Sequence, residues 1–169
     1  MLRLGTIEEA KQKVLDDARL CMARIKAISE DSFDTPSDAV RVLQRVRSET
    51  YEDLNQIQHQ HLIVCAAEWF LTQNICKPET RWYWNPRQTG DHTEPDLAGI
   101  ANGGIVVSAE ITTSAKPEGV IDTRMRKTLT KLSEQQGSLF YFVRTQAMAA
   151  RAATKIGKAG WNIKVVQLP

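Results

Sequence analysis

From Glu94 to Thr113 the chain reads as a strand that opens on an acid, a glycine-rich turn, and a second apolar strand that closes on another acid. Asn102-Gly103-Gly104 supplies the turn and Ile105 to Ile111 the return strand, so an antiparallel hairpin lies in the middle of the fold. No other stretch constrains the chain as much, because Asp96 and Glu110 are brought back to one end of that hairpin.

Register decides whether the two carboxylates meet. Side chains alternate along a strand, and residues directly opposite one another share a face. A two-residue turn at Asn102-Gly103 pairs Asp96 with Ala109 and sends the acids to opposite faces. A three-residue loop, Ala101 to Gly103, pairs Asp96 with Ser108 and keeps Glu110 on the same face. A shared face therefore demands an odd loop or a bulge. Formed in that way, the pair can hold Mg²⁺, with water and phosphate oxygens filling the remaining positions. Such an ion acidifies an attacking water and stabilises charge on a phosphate.

The rest of the chain builds around this hairpin. Thr6-Ile7-Glu8-Glu9 is a capping box that predicts a helix to about Ser29, with Val14, Ala18, Cys21, Ile25 and Ile28 as its apolar stripe. Thr35 followed by Pro36 starts a second helix, expected to run to about Gln73. Val40, Leu43, Arg47, Tyr51, Leu54 and Ile57 mark a heptad-like face on its front half. Ile63 to Phe70 are apolar nearly all round, which predicts packing on a sheet. Residues 1–60 thus form a helical hairpin, an extension whose stripes either cover one another or join two copies in a homodimer, and residues 61–169 form the core. Arg81 to Pro86 reads as a short aromatic strand, with Trp82 and Trp84 facing a core or stacking on bases. Gln88 to Thr93, including His92, is a polar loop. After the central hairpin come a basic helix from Ile121 to Gln136, a buried strand Leu139–Val143, an alanine-rich helix from Gln146 to Lys158 and a last strand from Trp161 to Leu168. Strands alternating with helices imply parallel crossovers, hence an α/β fold with a mixed sheet flanked by helices.

Charge is uneven along the 169 residues. The formal net charge is only +2, yet residues 115–169 carry 10 Lys and Arg against 3 Asp and Glu. A basic segment following an acid pair suits a polyanionic partner. No apolar run approaches the roughly 18 residues of a membrane span, and a cytoplasmic location is expected. Cys21, Cys65 and Cys76 lack metal-type spacing and read as buried free thiols. His59 and His61, two apart on a helix, face different ways.

Pro95-Asp96, the hairpin, a strand ending in Glu110-Ile111-Thr112 and the order of elements from Leu62 to Leu168 resemble the PD-(D/E)xK nuclease superfamily. The resemblance implies a restriction-endonuclease-like fold and a metal-dependent endonuclease acting on DNA, in restriction or another form of host defence. It assigns metal binding, Mg²⁺ or alternatively Mn²⁺, to Asp96 and Glu110. It gives Glu68, on the preceding helix, the place of a further acid.

One position departs from the pattern, since the superfamily's lysine is here Thr112. Lys116 in the following loop, or Lys127 or Lys131 on the next helix, would supply the missing charge, and the helical spacing of Arg124, Lys127 and Lys131 favours Lys127. A two-metal site would manage without it, and a domain that binds nucleic acid and cuts nothing would not need it. Lys116, Arg124, Arg126, Lys127 and Lys131 are the expected phosphate contacts.

Overall fold

The computed structural model describes residues 1–85 and 93–168, so Pro86 and all of the predicted loop before Thr93, His92 included, lie outside the described residues. The elements are β1 (Leu2–Arg3), α1 (Ile7–Ser29), α2 (Pro36–Thr72), β2 (Arg81–Trp84), β3 (Leu97–Ala101), β4 (Gly104–Ile111), α3 (Val120–Ser133), β5 (Ser138–Val143), α4 (Gln146–Ala159) and β6 (Ile163–Gln167). The six strands make one sheet in chain order, antiparallel from β1 to β4 and parallel from β4 to β6. The mixed α/β architecture expected from the alternation of strands and helices is therefore present, with α3 and α4 as the two crossovers. β1, which the sequence did not announce, adds two residues to the edge of β2.

Local chemistry sets the helix starts. The Thr6 hydroxyl accepts from Glu9 N (3.1 Å) while the Glu9 carboxylate accepts from Thr6 N (2.8 Å), completing the capping box of α1. Thr35 accepts from Asp38 N at 3.2 Å ahead of Pro36. α1 packs back along α2, burying Cys21, Ile28 and Thr50; the ion pair Arg24–Asp53 ties the two together, and Arg45–Asp31 ties α2 to the connector between them. α2 runs unbroken through residue 60, so the hairpin and the sheet-covering segment are halves of a single helix. The face carrying Val40, Leu43, Tyr51 and Leu54 stays exposed, with Leu43 68% accessible, so the two stripes do not fully cover one another.

Two cores sandwich the sheet. On one side Ile63, Ala66, Ala67 and Phe70 of α2 pack on Trp82, Trp84, Leu97, Ala109, Phe140 and Phe142. Phe70 stacks on Trp82 at 5.7 Å and meets Phe140 edge-on at 4.8 Å, so the aromatic residues of β2 on this face serve the core. On the other side Met125, Leu129 and Leu132 of α3 and Met148, Ala152 and Ile156 of α4 cover Tyr141, Val143 and Ile163. Cys21 and Cys76 are buried free thiols, and Cys65 is half-buried.

α3 ends at Ser133, short of the expected end at Gln136, and the chain turns through Gly137 to enter β5. Gly137 has φ +81, and a Cβ there would sit 2.7 Å from the Val106 carbonyl carbon. A side chain at this position would collide with fixed backbone as well as occupy a strained conformation.

Candidate functional site

The register of the central hairpin is set by two features. Asn102 (φ 52) and Gly103 (φ 80) form a two-residue turn with both residues left-handed, and Ala101 faces Gly104. That turn alone would put the acids on opposite faces. Between Gly99 and Ile100, however, the pairing shifts by one: Ile100 faces Ile105, whereas Gly99 faces Val107 and Leu97 faces Ala109. Val106 is the extra residue of a bulge in β4. Continued by one residue, this register sets Asp96 opposite Glu110. The bulge, rather than an odd loop, gives the shared face.

Asp96 and Glu110 are each 1% accessible. The Asp96 carboxylate accepts from Ile111 N at 2.8 Å, and its backbone carbonyl accepts from Asn85 N at 2.8 Å, which anchors the residue on both sides. His59 Nε2 of α2 lies 3.3 Å from Asp96 Oδ2. On the opposite side Lys131 Nζ of α3 sits 2.5 Å from Glu110 Oε1, a charge contact off the hydrogen-bond axis. The same ammonium donates to the Glu94 carbonyl (3.1 Å), and Gln135 donates to the Thr93 carbonyl (2.8 Å), so the end of α3 holds the approach to β3.

Burial, and then the Asp96 charge beside it, push the Glu110 carboxyl well above the usual carboxylate range, against the opposing pull of Lys131. Each ion taken out of water carries a penalty of about several kcal/mol, and a single lysine does not offset two. Glu110 therefore gives up its proton less readily than an exposed carboxyl, a cost that a stronger cation at the pair would relieve. Tyr141, the register partner of Glu110 on β5, is likewise held above its ordinary range, chiefly by burial.

Beyond the end of β4 a cleft of about 680 Å³ opens between α2 and α3. His59 and Tyr141 form part of its inner wall, which places the acid pair directly behind that wall. Gln56 lines the α2 side, and its buried Oε1 has no hydrogen-bond partner among the described residues. Arg124, Lys127 and Thr128 line the α3 side, and the hydroxyls of Thr112, Thr113 and Ser114 lie between. Thr112 is hydrogen-bonded to Tyr141 and accepts from Ser114 N (3.2 Å), so it shapes the cleft without carrying charge.

The expected site is thus brought together in part. Asp96, Glu110 and Lys131 converge, and Arg124 and Lys127 border the adjoining cleft. The cation at the acids is Lys131, not Lys127. Glu68 is not part of this group: its carboxylate pairs with Lys11 of α1 at 2.6 Å. Nine residues separate it from His59, two and a half helical turns, which is the opposite side of α2. Arg126 lies on the far flank of α3, and Lys116 is exposed in the loop after β4. His59 was visible in the sequence only as a residue facing away from His61, although a stronger signal was present. Extending the buried stripe Phe70, Ala67 and Ile63 backwards by turns reaches Gln60, His59 and Gln56, polar residues where core positions belong.

Two carboxylates are the number Mg²⁺ commonly takes from a protein when water and phosphate oxygens complete its shell. Among the described residues, no group of three or more His, Cys, Asp or Glu side chains is arranged to hold a metal ion. The donor set therefore fits a sparsely coordinated hard cation and not a closed structural site. Compared with known proteins, the chain matches no family model, no curated protein and no solved structure.

Proposed function

We propose that the protein is a metal-dependent endonuclease with a restriction-endonuclease-like core, hydrolysing DNA phosphodiester bonds. The observation that carries this reading is the bulged register that sets Asp96 beside Glu110, with a lysine against them and a basic cleft alongside. Asp96 and Glu110 would hold Mg²⁺ or Mn²⁺, which supplies Lewis acidity and an acidified water when bound. His59 and Ile111 N–H orient Asp96. Lys131 takes the charge-neutralising place that Thr112 leaves vacant in the superfamily pattern. Arg124 and Lys127 hold the phosphates in the cleft. The uncovered apolar face of the helical hairpin supports a homodimer, in which two sites would reach two strands. A place in restriction or host defence follows from the same superfamily reading.

A second reading, a nucleic-acid-binding module that cuts nothing, is favoured by one observation: both acids are almost wholly shielded from solvent. Purified protein with plasmid, single-stranded, modified and branched DNA, in Mg²⁺ or Mn²⁺ against EDTA, decides between them. Metal-dependent cleavage that disappears in Asp96→Ala and Glu110→Ala supports the enzyme. DNA that is bound and left intact on every substrate sinks it in favour of the binding module.

A further inference from the structure

The other flank of α3 faces α4 across a groove of about 360 Å³. Arg126 comes from α3, Arg151, Lys155 and Lys158 come from α4, and Trp161 lines the groove with them. Asp122 is the carboxylate that meets this cluster: it accepts from Arg151 Nε (2.7 Å), Arg151 Nη2 (3.1 Å) and Lys155 Nζ (3.0 Å). Those two cations are thereby held in fixed positions, while Arg126 and Lys158 pair with no carboxylate among the described residues. The groove combines a preset wall, two unspent positive charges and a half-exposed indole.

We propose that this groove is a binding site for a single-stranded nucleic acid, with phosphates held by Arg126 and Lys158 and a base stacked on Trp161. A space of this volume between two packed helices admits one nucleotide unit and not a duplex, and stacking requires an unpaired base. Its position gives it a use. Thr130 lines the groove and the next residue, Lys131, touches Glu110, so groove and acid pair lie on two sides of one helix, about 10 Å across. A strand crossing α3 reaches both. Only this last connection rests on the nuclease reading; binding in the groove does not.

The test is oligonucleotide binding by the full chain in EDTA, followed by fluorescence anisotropy and by tryptophan emission. The expected result is tighter binding of a single strand than of the same sequence as a duplex. Arg126→Ala/Lys158→Ala should weaken it about tenfold and reduce the salt slope by roughly 1.4, at about 0.7 per phosphate contact on a single strand. Binding should quench emission in the parent and not in Trp161→Phe. Lys13→Ala/Arg19→Ala, which removes the same charge from the distant α1, should bind as the parent does. Equal weakening by both double variants, an unchanged quench in Trp161→Phe, or displacement of the strand by an equal concentration of adenosine monophosphate would each overturn the proposal. Because EDTA is present throughout, absence of cleavage in the nuclease assay leaves this outcome unaffected.

Discussion

The two flanks of α3 carry the same sign of charge but differ in what lies beneath it. On the cleft side, Arg124, Lys127 and Lys131 border a pair of buried carboxyls, of which Glu110 is pushed well above its ordinary range. On the groove side, Arg126 shares its surface with the cations of α4, and the carboxylate there, Asp122, is half-buried and paired with Arg151 and Lys155. Positive charge alone attracts a polyanion. Chemistry needs a second ingredient, a charge-starved interior that a cation can relieve, and only the cleft side has one. On the proposed function, that difference separates a surface that retains nucleic acid from one equipped to act on it.

The largest expected effect tests the interior itself. Asp96→Ala and Glu110→Ala should each lower cleavage on the order of a thousandfold, since a metal ion's contribution of several kcal/mol is lost. Oligonucleotide binding in EDTA should persist in both, and its loss would mean that the flanks are not independent. Next comes Lys131→Met, expected to lower kcat about a hundredfold, the usual consequence of removing one preorganised charge from a developing oxyanion. Its Tm should fall as well, because taking away one partner leaves the buried Glu110 carboxyl without the cation against it. A kcat that matches the parent's once the assay is run well below the variant's Tm would show that Lys131 only holds the fold.

Lys127→Ala should raise KM several-fold with little change in kcat, as expected for one phosphate contact of about 1 kcal/mol. A loss confined to kcat would move Lys127 into the reacting centre. The smallest effect belongs to Asp122→Asn. Hydrogen bonds from Arg151 and Lys155 hold the Asp122 carboxyl below its ordinary range. Because the folded state binds the proton less tightly than the unfolded chain, the stabilisation is present at neutral pH and is lost as the pH falls below about 4. Thermal melts should therefore show a small deficit for Asp122→Asn at pH 7 that shrinks through pH 4 and below. A constant deficit would point to packing instead of charge.

Much of the architecture was legible because it rests on local signals. The capping box at Thr6, the Thr35-Pro36 start and the alternation of strand and helix after Glu94 each have a short-range cause. β1 had none, since two residues carry no period. The site was harder to read because its parts come from elements far apart in sequence. Asp96 and Glu110 were visible, but their meeting depended on a bulge at Val106 that nothing in the string Gly-Ile-Val-Val-Ser marks. Lys127 and Lys131 share a helix and differ by one turn. Which of them reaches the acids depends on how far α3 advances along β4 before the chain turns at Gly137, a matter of tertiary packing. Glu68 looked suitable by its place in an apolar stretch, yet the half-turn between it and His59 points it at Lys11.

Val106 gives this fold an arithmetic of its own. The hairpin turn alone would put the acids back to back, and one supernumerary residue restores them to the same side, so the site depends on whether a count is odd or even. A lineage could silence or revive such a centre by losing or gaining a single codon, with both acids, the lysine and every residue of the cleft still in place. Comparing only the identities of the key residues would then miss the change entirely. The spacing between Asp96 and Glu110 is as much a part of the centre as the acids themselves.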